Sequence, residues 1–212
     1  MPLQNRITPF GEITTAPWRG AWTGNRGCLH DGAGKLGVRR WRHQNWVCCQ
    51  LEFRGRKRDP MPPNRWTALF FWDEAVALTA GHRPCGECRY RDYQRFMSAW
   101  RAAGLPGANP REVDRYLHKH RVTRTRAQVR FEARVSDLPD GVFFMVPEGE
   151  HMPMLWHGGQ MHHLSLQDGQ YYAAGSAPEV VTVLTPRPMV DVMRAGYVPS
   201  VRLDGGSGAS TA

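Results

Sequence analysis

Lysine is almost missing from this chain. It occurs only at Lys35, Lys57 and Lys119, although Lys and Arg together number 28 against 19 Asp and Glu in 212 residues. The net charge of +9 is therefore carried by arginine. A surface of that sign favours phosphate-rich partners, and the arginine skew is equally what a GC-rich genome produces. Long apolar runs are missing too. Nothing approaches the roughly 20 residues needed to span a membrane, and the opening MPLQNRITPF lacks the build of a secretory leader. Cysteines are few and odd in number: five, two of them adjacent at Cys48 and Cys49. That excludes a regular disulfide framework and points to a reducing, cytoplasmic compartment. A nucleophile elbow, a phosphate loop and an HExxH helix are absent. Carboxylates are too sparse to assemble the paired acids of a metal-dependent nuclease.

What the chain does have is centred on Arg83-Pro84-Cys85-Gly86-Glu87-Cys88. Two cysteines with two residues between them can point at one small cation, and the turn aims backbone N–H groups at the sulfurs, as in a zinc knuckle. Asp73 can cap a short helix through Ala80, with Gly81 ending it in the left-handed conformation. His82 to Pro84 are expected to be extended, because a residue before proline avoids the helical region. A second helix follows Cys88, with Tyr93, Phe96, Met97 and Trp100 on one face. A redox pair and a metal-free turn are the competing readings of the same CxxC.

Upstream, Trp46 to Phe53 alternates as a strand. Cys49, Leu51 and Phe53 share one face, expected to be the apolar one, and Cys48 and Gln50 the other. One strand therefore cannot offer both cysteines to one metal. Cys49 is the third candidate ligand beside Cys85 and Cys88. The fourth ligand is open among His30, Cys28, His82 and Cys48, and His30 is taken as the candidate.

The central stretch resembles the metal-binding module of the Ada family of DNA-repair proteins. The resemblance is carried by Phe70-Phe71, Asp73-Glu74-Ala75, Ala80-Gly81, His82, Arg83-Pro84-Cys85 and Cys88, within about Trp46 to Asp92. It implies a Zn2+ site and contact with DNA. In that family an upstream cysteine pair, its members three residues apart, carries the methyl-accepting thiolate. Here the upstream cysteines are adjacent, and Phe53 stands where a partner of Cys49 would be. Cys49 is then the implied nucleophile if the chain is an enzyme.

The rest of the chain reads more plainly. Residues 1–18 are expected to be an extended arm, and residues 18–30 a Gly/Arg/Trp loop that grips a ligand, with Arg19 and Arg26 as phosphate contacts. Asp31 to Gly37 is a hairpin turn. Arg39, Arg40, Trp41 and Arg42 form a basic aromatic run, and Arg54, Arg56, Lys57 and Arg58 a basic turn that could track a nucleic-acid backbone. Asn109-Pro110-Arg111-Glu112 is a helix start with a capping box. His118 and His120 are a poor metal pair. From Pro139 short runs separated by Gly and Pro predict a β-meander, then a helix from Met189 to Ala195 and a Gly/Ser tail.

These readings predict an α+β fold: a small zinc-stapled helical and strand module packed with a C-terminal antiparallel β-rich part. The divisions are 1–102 for the zinc region with its N-terminal loop, 103–138 for a helix and basic linker, 139–204 for the β-rich part and 205–212 for a flexible tail. The expected function is zinc-containing nucleic-acid binding, DNA before RNA, in repair or regulation, with no membrane partner. The alternatives are an enzyme acting on nucleic acid or nucleotides, by alkyl transfer to a zinc-bound cysteine or at a deaminase-like site, and a zinc-stapled module for a protein partner. A deaminase would pair Pro84-Cys85-x-x-Cys88 with an upstream His-x-Glu or Cys-x-Glu. His30 and Cys49 are followed by neither.

Overall fold

The computed structural model describes residues 2–55, 59–146 and 152–203. Arg56, Lys57 and Arg58 of the basic turn and the tail 205–212 lie outside them. Six short strands from the first half make one mixed sheet: β1 (Arg6–Ile7), β2 (Ile13–Thr14), β3 (Trp22–Asn25), β4 (Val47–Cys49), β5 (Leu69–Phe71) and β6 (Arg83–Pro84), in the order β2-β1-β5-β3-β4-β6. Helix α1 (Glu74–Thr79) connects β5 to β6, and α2 (Tyr90–Ala102) and α3 (Pro110–Arg121) follow. The second half supplies β7 (Phe131–Arg134), β8 (Val142–Met145), β9 (Met154–His157), β10 (Gln160–Leu164), β11 (Tyr171–Ala173) and β12 (Val180–Val183). These form an antiparallel sheet in the order β11-β10-β9-β8-β12-β7, and α4 (Arg187–Arg194) closes the fold. The fold class is α+β with an antiparallel β-rich C-terminal part.

The local signals act as expected. Asp73 caps α1 by accepting from the Val76 N–H at 2.9 Å, and Gly81 ends it at φ +79°. Asn109 caps α3, accepting from the Arg111 and Glu112 N–H groups, with Pro110 in the first turn. Phe96, Met97 and Trp100 form the buried stripe of α2, with Tyr93 half-buried at its edge.

Two expectations for the N-terminus are corrected. Residues 1–18 are not a free arm, because β1 pairs with β2 and lies parallel to β5. Residues 18–30 are not a ligand-gripping loop, because β3 runs between β4 and β5 inside the sheet. The glycines there do permit a close approach, but to the chain itself. A Cβ on Gly24 would collide with the Val47 carbonyl and the Phe71 ring.

The second sheet is covered on both faces, and β8 shows how. Its Val-Phe-Phe-Met run is buried throughout. Val142 and Phe144 join Phe96, Trp100, Leu117 and Met189 under the helices, while Phe143 and Met145 join Ile7, Leu69, Phe71 and Val76 of the first sheet and α1. A continuous apolar strand is what burial on two faces requires. Each of these large side chains contributes about 1.5–3 kcal/mol. The first and second halves of the chain thus share a core, across the division between 1–102 and 139–204.

Buried polar ties cross the same boundary. Arg89 pairs with Glu74 at 2.6 Å, both side chains 2% exposed. Glu74 also accepts from the Tyr197 hydroxyl at 2.5 Å and the Ser200 N–H at 3.0 Å. Removing one partner of such a pair leaves a buried charge without compensation. Glu74→Ala is therefore expected to cost about 3–5 kcal/mol in equilibrium urea unfolding. Asp191→Ala, which breaks the solvent-facing pair with Arg194, is expected to stay within about 1 kcal/mol.

Candidate metal centre

The site begins with strand alternation. On β4, Cys48 and Cys49 point to opposite faces, but the polarity of the two faces is the reverse of the expected one. Cys48 is fully buried in the core cluster with Phe71 and Ala77. Cys49 faces away from it, and the strand ends there, leaving Leu51 45% exposed. Strand β6 lies parallel to β4, pairing Cys48 with Pro84. The Cys85 N–H then donates to the Cys48 carbonyl at 3.0 Å, which brings Cys85 alongside Cys49. The turn after β6 returns Cys88 to the same place, its first residue bonded to the Arg89 N–H at 3.1 Å.

The sulfurs of Cys49, Cys85 and Cys88 all lie within 4.8 Å of one another. Three thiolates on one tetrahedral metal at about 2.3 Å would stand roughly 3.8 Å apart, so the group could hold an ion with little movement. Backbone N–H groups point at the sulfurs: Glu87 at Cys85 and Gln50 at Cys88, each at 3.4 Å. The thiols also interact electrostatically. Contacts from Cys49 and Cys88, followed by nearby N–H groups, hold Cys85 well below the usual thiol range. The same contacts with Cys85 and Cys88, and burial, push Cys49 up. A bound metal ion would hold all three as thiolates.

The remaining candidates are occupied elsewhere. His30, the expected fourth ligand, is not part of the group. Its Nδ1 lies 2.6 Å from the Thr67 hydroxyl and its Nε2 lies 3.2 Å from the Pro62 carbonyl. The hairpin turn at Asp31 and the chain after Pro60 hold it there. Cys28 donates to the His30 carbonyl at 3.5 Å. His82 is stacked on Trp46 and bonded to Arg26. Cys48 contacts the Arg89 guanidinium at 3.3 Å, and burial pushes its thiol up. Among the described residues no histidine or carboxylate joins the three thiols. The set leaves one coordination position to a further ligand.

The basic residues divide into two groups. Arg19, Arg39, Arg40, Arg42 and Arg54 are exposed and Trp41 is half-buried. Arg26 is not a surface contact: it is 3% exposed and bonded to the Gly11 and Ala80 carbonyls. Arg121, which sequence reasoning placed in a basic linker, is 2% exposed. Its one sequence signal was its place at the end of the helix predicted from Asn109.

No family model matches the chain, and no curated protein or solved structure matches it either. The five cysteines are free thiols. Among the described residues no helix is long and apolar enough to cross a membrane.

Elemental analysis of the purified chain should find one metal ion per molecule. Cys49→Ser, Cys85→Ser and Cys88→Ser are each expected to lose it. His30→Ala is expected to keep the metal and lose stability, through its bonds to Thr67 and Pro62.

Proposed function

We propose that this chain is a zinc protein that binds nucleic acid, in DNA repair or regulation. The observation that carries the reading is the convergence of Cys49, Cys85 and Cys88. Three soft thiolates suit Zn2+ or Cu(I), and an iron–sulfur cluster would call for four. Zinc is favoured by the all-thiol donor set and by the resemblance of the surrounding stretch to the Ada module. The nucleic-acid half is supported by the exposed arginines 39, 40 and 42 beside Trp41, a run suited to phosphates and one aromatic surface. Binding of a short DNA duplex should weaken steeply with salt. In Arg39→Ala/Arg42→Ala the slope of log K against log salt should fall by about 0.9 for each lost phosphate contact. No binding at low salt, or an unchanged slope, would count against a nucleic-acid partner.

One observation favours a second, catalytic reading. Among the described residues only three thiols converge, so a tetrahedral ion on them would keep one position open, which is the pattern of a reactive metal site rather than a closed structural one. Zinc, when bound, would keep the thiols deprotonated. Of the three, Cys85 is half-exposed while Cys49 and Cys88 are buried. An alkyl-accepting role therefore falls to Cys85 and not Cys49. The Cys85 sulfur would bond to the alkyl carbon, the carbon–oxygen bond of a DNA phosphotriester would break, and a phosphodiester would leave. Mass spectrometry after incubation with methylphosphotriester DNA should then place one methyl group on Cys85. An unmodified chain leaves the site structural. A deaminase chemistry would lack its acid–base carboxylate beside the thiols among the described residues.

A further inference from the structure

A second candidate site is a cavity that none of the three thiols lines. Trp46, three residues before Cys49, forms part of this cavity of about 440 Å³, a size common for small-ligand sites. Five arginines line it, Arg26, Arg40, Arg121, Arg126 and Arg130, against a single carboxylate, Glu12. Two of the five are unusual. Arg26 and Arg121 are both buried, and their guanidinium carbons stand 4.0 and 3.9 Å from the centroid of the one Trp46 ring. Neither forms an ion pair with a carboxylate among the described residues. Asp114, the buried acid in this region, is taken by a two-bond fork to Arg83 at 2.9 and 2.7 Å.

Their hydrogen-bond acceptors are carbonyls and imidazoles. Arg26 donates to His82 and to the Gly11 and Ala80 carbonyls, and Arg121 donates to His118 and to the Gly81 and Gln44 carbonyls. Burial, and then the charge of Arg40, hold Arg26 at about 9, and burial holds Arg121 well below its ordinary range although Asp114 acts the other way. Buried charges of one sign are ordinarily paired. Here two are gathered on one ring at the wall of an open cavity, and an anion would complete them.

The mouth is built for the same purpose. Arg126 lies in the turn between Thr123 and Ala127 with φ +70°, a conformation that favours glycine. Its side chain nevertheless reaches across to the Val38 carbonyl at 2.8 Å, on the loop that carries Arg40 and Trp41. Strained backbone held by its surroundings is a mark of functional positions. Trp41 lines the same cavity, half-buried, with its ring 5.9 Å from Trp46.

We propose that this cavity binds one nucleotide unit, its phosphate against the arginines and its base on Trp41. As the interface of a nucleic acid it rests on the reading above, while the same chemistry would also take a free nucleotide. Calorimetric titration of the full chain with deoxyadenosine monophosphate, deoxyadenosine, inorganic phosphate and a short single-stranded oligonucleotide tests it. The monophosphate is expected to bind more tightly than either of its parts. Arg40→Ala, and Arg126→Gly, which also relaxes the turn, should each weaken it by about tenfold or more, as loss of a charged hydrogen bond does. Arg111→Ala, on the exposed start of α3, should leave it unchanged. Arg26→Lys and Arg121→Lys keep the charge but lose the planar guanidinium, and should weaken it as well.

A monophosphate that does not bind, or binds no better than phosphate or the nucleoside, overturns the proposal. So does wild-type affinity in Arg40→Ala and Arg126→Gly. The oligonucleotide separates this failure from that of the nucleic-acid reading. Oligonucleotide binding without monophosphate binding removes the pocket and leaves the reading. Monophosphate binding without oligonucleotide binding keeps the pocket as a free-nucleotide site and removes the reading. Loss of both ligands in the two mouth variants supports the two ideas together.

Discussion

The guanidinium of Arg89 holds the two halves of this protein together. It follows Cys88 directly, so its position sets that of the metal turn. It bonds Glu74 of α1 and Asp92 of α2, touches the Cys48 sulfur of β4, and lies 3.9 Å from the centroid of the Trp22 ring in β3. Through Glu74 the same charge reaches Tyr197 and Ser200 at the C-terminal end. A charge buried this deeply is tolerated only when every donor is matched, and here the matching groups come from four separate elements. The geometry of the thiol cluster therefore depends on the C-terminal part being docked, although that part contributes no thiol.

The chain manages its other buried arginines by two different means. Arg83 is neutralised outright by the Asp114 fork, which ties α3 to β6 beside the cysteines. Arg26 and Arg121 share Trp46 and backbone carbonyls instead. A ring face and carbonyl dipoles lower the cost of burial without cancelling the charge. The difference separates a structural cation from one that retains attraction for an anion.

The sequence reading succeeded where the cause was local. The cap at Asp73, the left-handed stop at Gly81, the capping of α3 by Asn109 and the CxxC turn depend on residues within a few positions of one another. The C-terminal strands were legible for a similar reason, since Gly and Pro turns separated short apolar runs. The reading failed for Trp18 to His30. Glycine among aromatics and arginines looked like a loop, whereas Gly24 is small because strands β4 and β5 close around it. It failed also for Arg26 and Arg121, since nothing in an arginine's immediate neighbours reports that a tryptophan from another segment will cover it.

By itself, then, the sequence determined the local elements, the positive charge, and which cysteines are close enough in the chain to act as a pair. Strand parity also settled that Cys48 and Cys49 cannot serve one metal. The sequence also named Cys49 as the partner of Cys85 and Cys88, but only the tertiary structure supplied the reason, because the parallel pairing of β4 with β6 brings the face away from the core beside the CxxC turn. The tertiary structure likewise withdrew His30 to Thr67 and Pro62, and gathered Arg26, Arg121 and Trp46 around one cavity. Each of these outcomes joins residues tens of positions apart, and such contacts are set by which surfaces the folded core can bury together rather than by local conformational preference.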